Sequence, residues 1–524
     1  MKALTNKLFL YGHTLRHLQP TQIGHLILKR ILTTRRHIPK EDRFSPNPQA
    51  RIIPRINESR AKVDKEENLY LKFINKESIY NIFPKEEPLW IFNQFYFEYI
   101  NDQNVPISVS KKTLIGFYSE SSHPLAYHPY PSSLRVIAVI RFITASQWYP
   151  DRVITGLWRD LAGIANNIEK DLEGNHLLSN LIALCLGYSF FSGPVSNSRQ
   201  HQYDQLLNKT IKKQIGEDGI HCERSFLYQI TILEQLSHLI LLSPHRYSRL
   251  RPTALLMFDT LYQYLVEDQI PQFNDTTSDI KLRLDELRSL GELLGVESKP
   301  QQYLHISNAT NFAIVRKSNY TLTIDGGGLY EPQPGHIHAG ALSFELFCNN
   351  EKIITDSGCS TYLAGEARSY QRSTSAHNTV EIADRDQFEV WGSFRVARRG
   401  KFYPLREIAN GIKGAITHQN GAVHHREITF ETDQILIKDT IMARKELPLK
   451  FRLHFYPGVS LSQDDNGFTI SNKGSVKFTG DLDNIRLETT PFYPAFNKES
   501  KKTTIVGSTK TKKQTNILTT IKLN

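Results

Sequence analysis

The hydrophobic period of this chain changes near residue 300, and that change limits the folds open to it. From about residue 66 to 300 apolar residues recur at helical spacing. Leu177, Leu178, Leu181, Ile182, Cys185 and Leu186 form one wide apolar face, and Phe226, Leu227, Ile230, Leu233, Leu236 and Ile240 form another. After about residue 304 the period falls to two. Tyr320-Thr321-Leu322-Thr323-Ile324 alternates. Short strands are predicted at 342–347, 352–355, 379–382, 434–437 and 451–455, between turn sequences such as Asp325-Gly326-Gly327-Gly328 and Asp465-Asn466-Gly467. Successive helical hairpins point to a toroid or solenoid, although no clean repeat is visible. Many short strands at close spacing point to an all-β sandwich.

The chain has 524 residues, 40% of them hydrophobic, enough for two large domains with real cores. A net charge of +11 attracts anionic partners. Nucleic acid, anionic lipid and acidic polysaccharide all qualify, and much of the excess lies at the two ends. No nucleic-acid motif accompanies the charge, so nucleic acid is not an expected partner. The four cysteines, Cys185, Cys222, Cys348 and Cys359, contain no CxxC pair, which argues against a zinc ribbon or a disulfide scaffold.

Residues 1–60 are basic and broken by prolines at 20, 39, 46, 48 and 54; they read as an arm. Its apolar run Leu8–Tyr11 is too short for a secretory signal, and no stretch approaches the ~20 apolar residues of a membrane span. Within the arm, 21–34 reads as a basic amphipathic helix. Packing on its own domain is the favoured reading, with peripheral membrane contact as the alternative.

Four segments carry candidate chemistry. Asn175 and His176 open a buried helix, where Asn175 suits an N-cap. Asp218 to Tyr228 is a glycine-containing loop that leads into a helix and places Tyr228 in its first turns; by itself this describes a core tyrosine equally well. Gly335-His336-Ile337-His338 puts two histidines on one face if the segment is a strand. Asp356 and His377 lie further on, and with His338 they make a possible three-ligand zinc set, although the spacing alone is a weak signal.

Together these segments resemble the heparinase II/III family of polysaccharide lyases over nearly the whole chain. Further resemblance lies in Trp90-Ile91-Phe92-Asn93, His128-Pro129-Tyr130-Pro131, Ile270-Pro271 with Phe273-Asn274-Asp275, Asp356-Ser357-Gly358, Arg372-Ser373-Thr374-Ser375-Ala376-His377-Asn378-Thr379-Val380 and Trp391-Gly392 with Phe394-Arg395. The β-half motifs are the most specific. One departure is Ala339-Gly340-Ala341, where a polar residue is expected after the second histidine.

The resemblance implies an α+β multidomain fold. A basic arm (1–60) would precede an N-terminal (α/α) toroid, an incomplete helical barrel (61–303), and a C-terminal antiparallel β-sandwich (304–524). It implies β-elimination on an acidic, uronate-containing polysaccharide. Asn175 and His176 would bind the uronate carboxylate, Tyr228 would act as general acid and same-face base, and His336 would be the opposite-face base. Tyr130, Glu223, Arg224, Tyr362, Tyr370 and Arg372 would contact substrate. His338, Asp356 and His377 would hold a structural Zn2+. By the same resemblance the protein belongs in the cell envelope or periplasm, while the missing signal peptide leaves the cytoplasm open. The alternatives are a non-catalytic polysaccharide-binding or assembly factor, since fold does not fix function, and a glycoside hydrolase, which would need paired carboxylates.

Overall fold

The computed structural model describes residues 2–524 apart from 21, 25–37, 56–59, 85–86, 121–122, 298, 330–333 and 465–466. A helical region comes first and antiparallel sheets follow. The helices used below are α1 (Lys2–Leu15), α2 (Pro88–Tyr96), α3 (Ile107–Glu120), α4 (Pro129–Ser146), α5 (Asp151–Asn166), α6 (Gly174–Tyr188), α7 (Pro194–Gln214), α8 (Phe226–Leu242), α9 (Arg251–Tyr264) and α10 (Lys281–Leu294). A three-stranded sheet, β1 (Ala61–Val63), β2 (Leu69–Phe73) and β3 (Lys76–Ile79), precedes α2.

Burial alternates along the helices. α4 is buried at every residue from Tyr130 to Thr144, and α6 and α8 are almost as enclosed. Helices that are apolar all round belong in the interior of a bundle. Between them, α5 buries only Val153, Ile154, Leu157, Trp158, Leu161, Ile164 and their near neighbours, a one-sided stripe. The inner helices α4, α6 and α8 pack on one another, and α5, α7 and α9 pack outside them. Inside this core Arg135 is fully buried, with Asp160 2.9 Å from its Nε and its guanidinium over the Phe117 ring. A buried charge of this kind persists only when paired.

The β region begins ten residues after α10 ends. β4 (Leu304–Ser307), β5 (Phe312–Arg316), β6 (Tyr320–Asp325), β7 (Ser343–Cys348) and β8 (Glu351–Ile354) form an antiparallel sheet in the order β8-β7-β6-β5-β4. Both faces of β6 and β7 are buried. On one side Phe312, Ile314 and Phe347 join the helical core. On the other, Leu322, Ile324, Phe344 and Leu346 share a core with Ile412, Ile428, Ile437 and Ile521 of an eight-stranded sheet. That sheet runs in the order 401–408, 411–417, 423–430, 434–442, 514–523, 474–480, 467–470 and 461–464. Its strand Val423–Phe430 alternates buried and exposed residues, as expected of a sheet with one wet face. A further four-stranded sheet joins Val380–Ile382, Pro448–His454, Ser500–Lys510 and Asn484–Phe492.

The strand readings at 320–324, 342–347, 352–355, 379–382, 434–437 and 451–455 fall on observed strands, shifted or extended at the ends. One reading needs correcting. His336 and His338 lie in irregular chain before β7, not in a strand. Of the predicted helix at 21–34, most residues lie outside the described ones, as do Asp465 and Asn466 of one predicted turn. The rest of the arm spans both regions: Arg43 and Phe44 pair with Ser192 and Phe191, and Tyr11 of α1 packs on Trp391 at 4.9 Å. Among the described residues no single helix is long and apolar enough to cross a membrane.

Candidate active site

Three inner helices begin at the same end of the bundle, so their first turns face one cavity of about 820 Å³. Tyr130 comes from α4, Asn175 and His176 from α6, and Tyr228 from α8. The β region closes the other side with His336, Tyr362 and Phe394.

On the helical side, His176 stacks on Tyr130 with centroids 4.3 Å apart. Its Nδ1 lies 3.0 Å from the buried Glu169 carboxylate, which Asn180 also holds. Burial opposes the charged imidazole, but the Glu169 carboxylate outweighs it and raises the His176 pKa. His176 lines the cavity, and Glu169 favours the form of its ring in which both nitrogens carry a proton. Asn175 does not cap its helix; Glu173 occupies that position, at φ 54°. The Asn175 amide instead donates to Glu223 Oε2 at 2.8 Å, and its backbone N–H donates to Glu223 Oε1 at 3.2 Å. Its Oδ1, buried, finds no partner. The neighbouring Gly174, at φ 53°, leaves room for Glu223: a Cβ there would stand 2.0 Å from Oε1.

The Tyr228 hydroxyl lies 3.0 Å from the Tyr362 hydroxyl, and the Tyr228 ring touches His336 with centroids 4.1 Å apart. Burial first, then the charges of Tyr130 and Asp275, raise the Tyr228 pKa well above that of a free phenol. Tyr362 shifts the same way, again chiefly through burial. Both remain protonated at neutral pH and suit proton donation.

One carboxylate organises the β side. Asp275 takes His336 Nδ1 at 2.8 Å on one oxygen and His338 Nε2 at 2.8 Å on the other. Arg368 donates to both oxygens, and its guanidinium also covers the Tyr362 and Phe394 rings. Burial alone would raise the Asp275 pKa, but Arg368 and the histidine bonds hold it well below the carboxylate range. The hub is tied directly to the helix carrying Tyr228. Ser225 Oγ donates to the Asp275 carbonyl at 2.8 Å, and the Phe226 N–H donates to Thr276 Oγ1 at 3.0 Å. Asn274 Oδ1 accepts the His338 N–H at 2.9 Å.

A family model described as "Heparinase II/III-like, C-terminal" matches residues 303–520. The β region is a heparinase II/III-like C-terminal domain. No curated protein matches the sequence. Among solved structures, a crystal structure of heparinase III is 16% identical, with a TM-score of 0.65, covering 96% of this chain and 89% of its own. Heparan sulfate lyase HepC from Pedobacter heparinus is 15% identical, with a TM-score of 0.59, covering 83% and 76%. A chondroitin AC lyase from Streptomyces coelicolor A3 is 10% identical, with a TM-score of 0.54, covering 85% and 76%. At these identities the likeness establishes the fold.

Within the heparinase II/III-like domain, His338, Asp356 and His377 lie behind the cleft and are buried. The His338 and His377 rings are 5.6 Å apart. Asp356 Oδ2 holds His377 Nδ1 at 2.6 Å, as Asp275 holds His338 Nε2. The other nitrogens, His338 Nδ1 and His377 Nε2, are buried without a hydrogen-bond partner among the described residues. Among the described residues no three His, Cys, Asp or Glu side chains already converge as a metal cage. Asp356 is placed to orient His377 more directly than to ligate.

Three predicted substrate contacts are corrected. Arg224 is buried, paired with Asp325 and stacked over Phe312 at 4.4 Å, so it pins the helical region to β6. Arg372 is buried and reaches the Gly392, Arg395 and Ile337 carbonyls; burial and Arg368 lower its pKa to about 9. Tyr370 is not part of the cavity lining and packs near Tyr493, with ring centroids 6.2 Å apart. Tyr130, Glu223 and Tyr362 do line the cavity. Sequence reasoning assigned no role to Glu169, Asp275, Arg368 or Phe394. Asp275 and Phe394 stood inside recognised motifs; Glu169 and Arg368 carried no signal of their own.

Proposed function

We propose that this protein is a polysaccharide lyase with an (α/α) toroid and a β-sandwich, cleaving a uronate-containing chain by β-elimination. The observation that carries the reading is that Tyr228, its hydroxyl paired with that of Tyr362 and its ring against the Asp275-held His336, shares one cavity with the Glu169-held His176. His176 would neutralise the uronate carboxylate and stabilise charge that develops when the C5 proton leaves. With Nδ1 hydrogen-bonded to Asp275, the free Nε2 of His336 would take that proton. The C4–O bond would break as the C4=C5 double bond forms, and Tyr228 would protonate the departing oxygen, so no further reactant is needed. Because the Tyr228 and His336 rings are in contact, no sugar ring fits between them as placed. That contact favours acid and base acting from one side of the sugar; the opposite-face arrangement that the resemblance implies would need the two rings to part.

Zinc is part of the same proposal. Its supporting observation is that His338 Nδ1 and His377 Nε2, on rings 5.6 Å apart, are both buried and without a hydrogen-bond partner among the described residues. Asp275 and Asp356 would fix the two tautomers. Such an ion would clamp the loops behind the cleft. Metal analysis of chelator-free protein should find zinc, and a chelator should lower the melting temperature; zinc-free protein of unchanged stability would remove the ion from the mechanism. We also propose, on the resemblance, an envelope location, which fractionation of cells would test.

The test of activity is incubation with a panel of uronate polymers, followed in the near ultraviolet. A lyase produces an unsaturated uronate and a hydrolase does not. Cleavage without that absorbance would overturn the proposal.

A further inference from the structure

One end of the cavity is bridged. β2 and β3 are joined by the two-residue turn Ile74-Asn75, with φ of 45° and 61°. Positive φ is expected of such hairpin turns, but it is costly for a β-branched residue and persists only where the surroundings hold it. What holds it is a turn of the β domain more than four hundred residues away. Asn75 Nδ2 donates to the Phe496 carbonyl at 2.9 Å, and Asn497 Nδ2 donates to the Ile74 carbonyl at 2.9 Å. Asn497 is itself at φ 57°. The two turns thus exchange amide hydrogen bonds across the gap between the small N-terminal sheet and the β domain.

This bridge belongs to the site. Phe73, Ile74, Asn75, Phe496 and Asn497 all line the cavity. The Phe496 ring packs on Tyr362 at 4.9 Å, and Tyr362 is bonded to Tyr228. A single aromatic ring therefore separates the bridge from the proposed acid. The cavity, about 820 Å³ and open to solvent on one side, falls within the ~300–1,000 Å³ of pockets that hold compact ligands. A long chain passing through would have to break both amide contacts.

From this we infer that the site takes the end of a polysaccharide chain, or a short oligosaccharide, and releases small products; Asn75 and Asn497 determine that mode. The inference rests on the lyase reading and adds to it where the polymer is cut. Substrate enters from the open side, its terminal units stop against the bridge, and elimination occurs a short step inside the end.

Two measurements test it. On the polymer panel, wild-type protein should accumulate short unsaturated products with little early loss of viscosity. Asn75→Ala combined with Asn497→Ala should raise viscosity loss per bond cleaved several-fold. An immediate viscosity collapse with the wild type would overturn the inference. The second measurement does not need turnover. Tyr228→Phe titrated with short and long size fractions of one uronate polymer should show one binding site per chain at both lengths. Sites that multiply with chain length would overturn chain-end binding while leaving the lyase reading intact. Neither binding nor elimination on any member of the panel would overturn both.

Discussion

The two sides of the cavity are built by different forces. On the helical side Tyr130, His176 and Tyr228 sit in the first turns of buried helices, so their positions follow from apolar packing. On the β side His336, Tyr362 and Phe394 sit in chain between strands and are held by two buried charges, Asp275 and Arg368. Packing is spread over many weak contacts and tolerates single substitutions. A buried ion pair concentrates the same task in a few atoms, and removing one partner strands the other. The helical side should therefore lose chemistry without losing structure, and the β side should lose both together.

The largest expected effect is on chemistry alone. Tyr228→Phe keeps the ring and its packing and removes one hydroxyl. Turnover on an accepted polymer should fall by about 10²–10⁴-fold, with thermal unfolding close to wild type. A variant that retains full activity would show that the hydroxyl is not the acid.

Asp275→Asn comes next and should affect both properties. Arg368, fully buried, would keep its charge without a carboxylate partner, which costs about 3–5 kcal/mol. His336 would also lose the acceptor that fixes its tautomer. Calorimetry should record the destabilisation; an unchanged melting temperature would mean that the β side does not depend on this hub.

The same contrast explains what could be read in the sequence. Period and turn residues marked the inner helices and most of the strands because burial imposes those patterns directly. That Tyr228 and His176 share one cavity follows from their places at helix starts beside recognisable loops. Arg224, Tyr370 and Arg372 fall outside the cavity lining, and a charged or aromatic residue inside a motif looks the same whether it faces a cavity or a carbonyl. Burial decides between these, and it belongs to the tertiary structure. Glu169 acts on His176 across a turn, and nothing in local spacing distinguishes it from a surface carboxylate.

A smaller effect sharpens the comparison within the β side. Tyr362→Phe removes the partner of the Tyr228 hydroxyl and should reduce turnover. Tyr370→Phe should leave turnover close to wild type, since Tyr370 is not part of the cavity lining. Steady-state kinetics on both variants would test the pair; equal losses would place Tyr370 back in the cleft.

The smallest predicted effect is a shift along the pH axis. His176 must be protonated to meet a carboxylate, and Glu169 favours that form against burial, which disfavours it. Because the pKa is raised in the fold, substrate binding should be complete at low pH and be lost as pH rises through that raised value. The linked stability follows the same sign: it is fully present below the unfolded histidine pKa and fades as pH rises through the folded one. The His176 side chain is 30% exposed toward the cleft, so solvent and salt reduce the stability part and binding is the better measurement. Glu169→Gln keeps a hydrogen-bonding group and removes the charge. Burial then dominates, and the falling limb of the 1/KM–pH profile should move to lower pH while kcat at low pH is retained. A limb that stays in place would assign the titration to another group and leave His176 as a stacking partner of Tyr130.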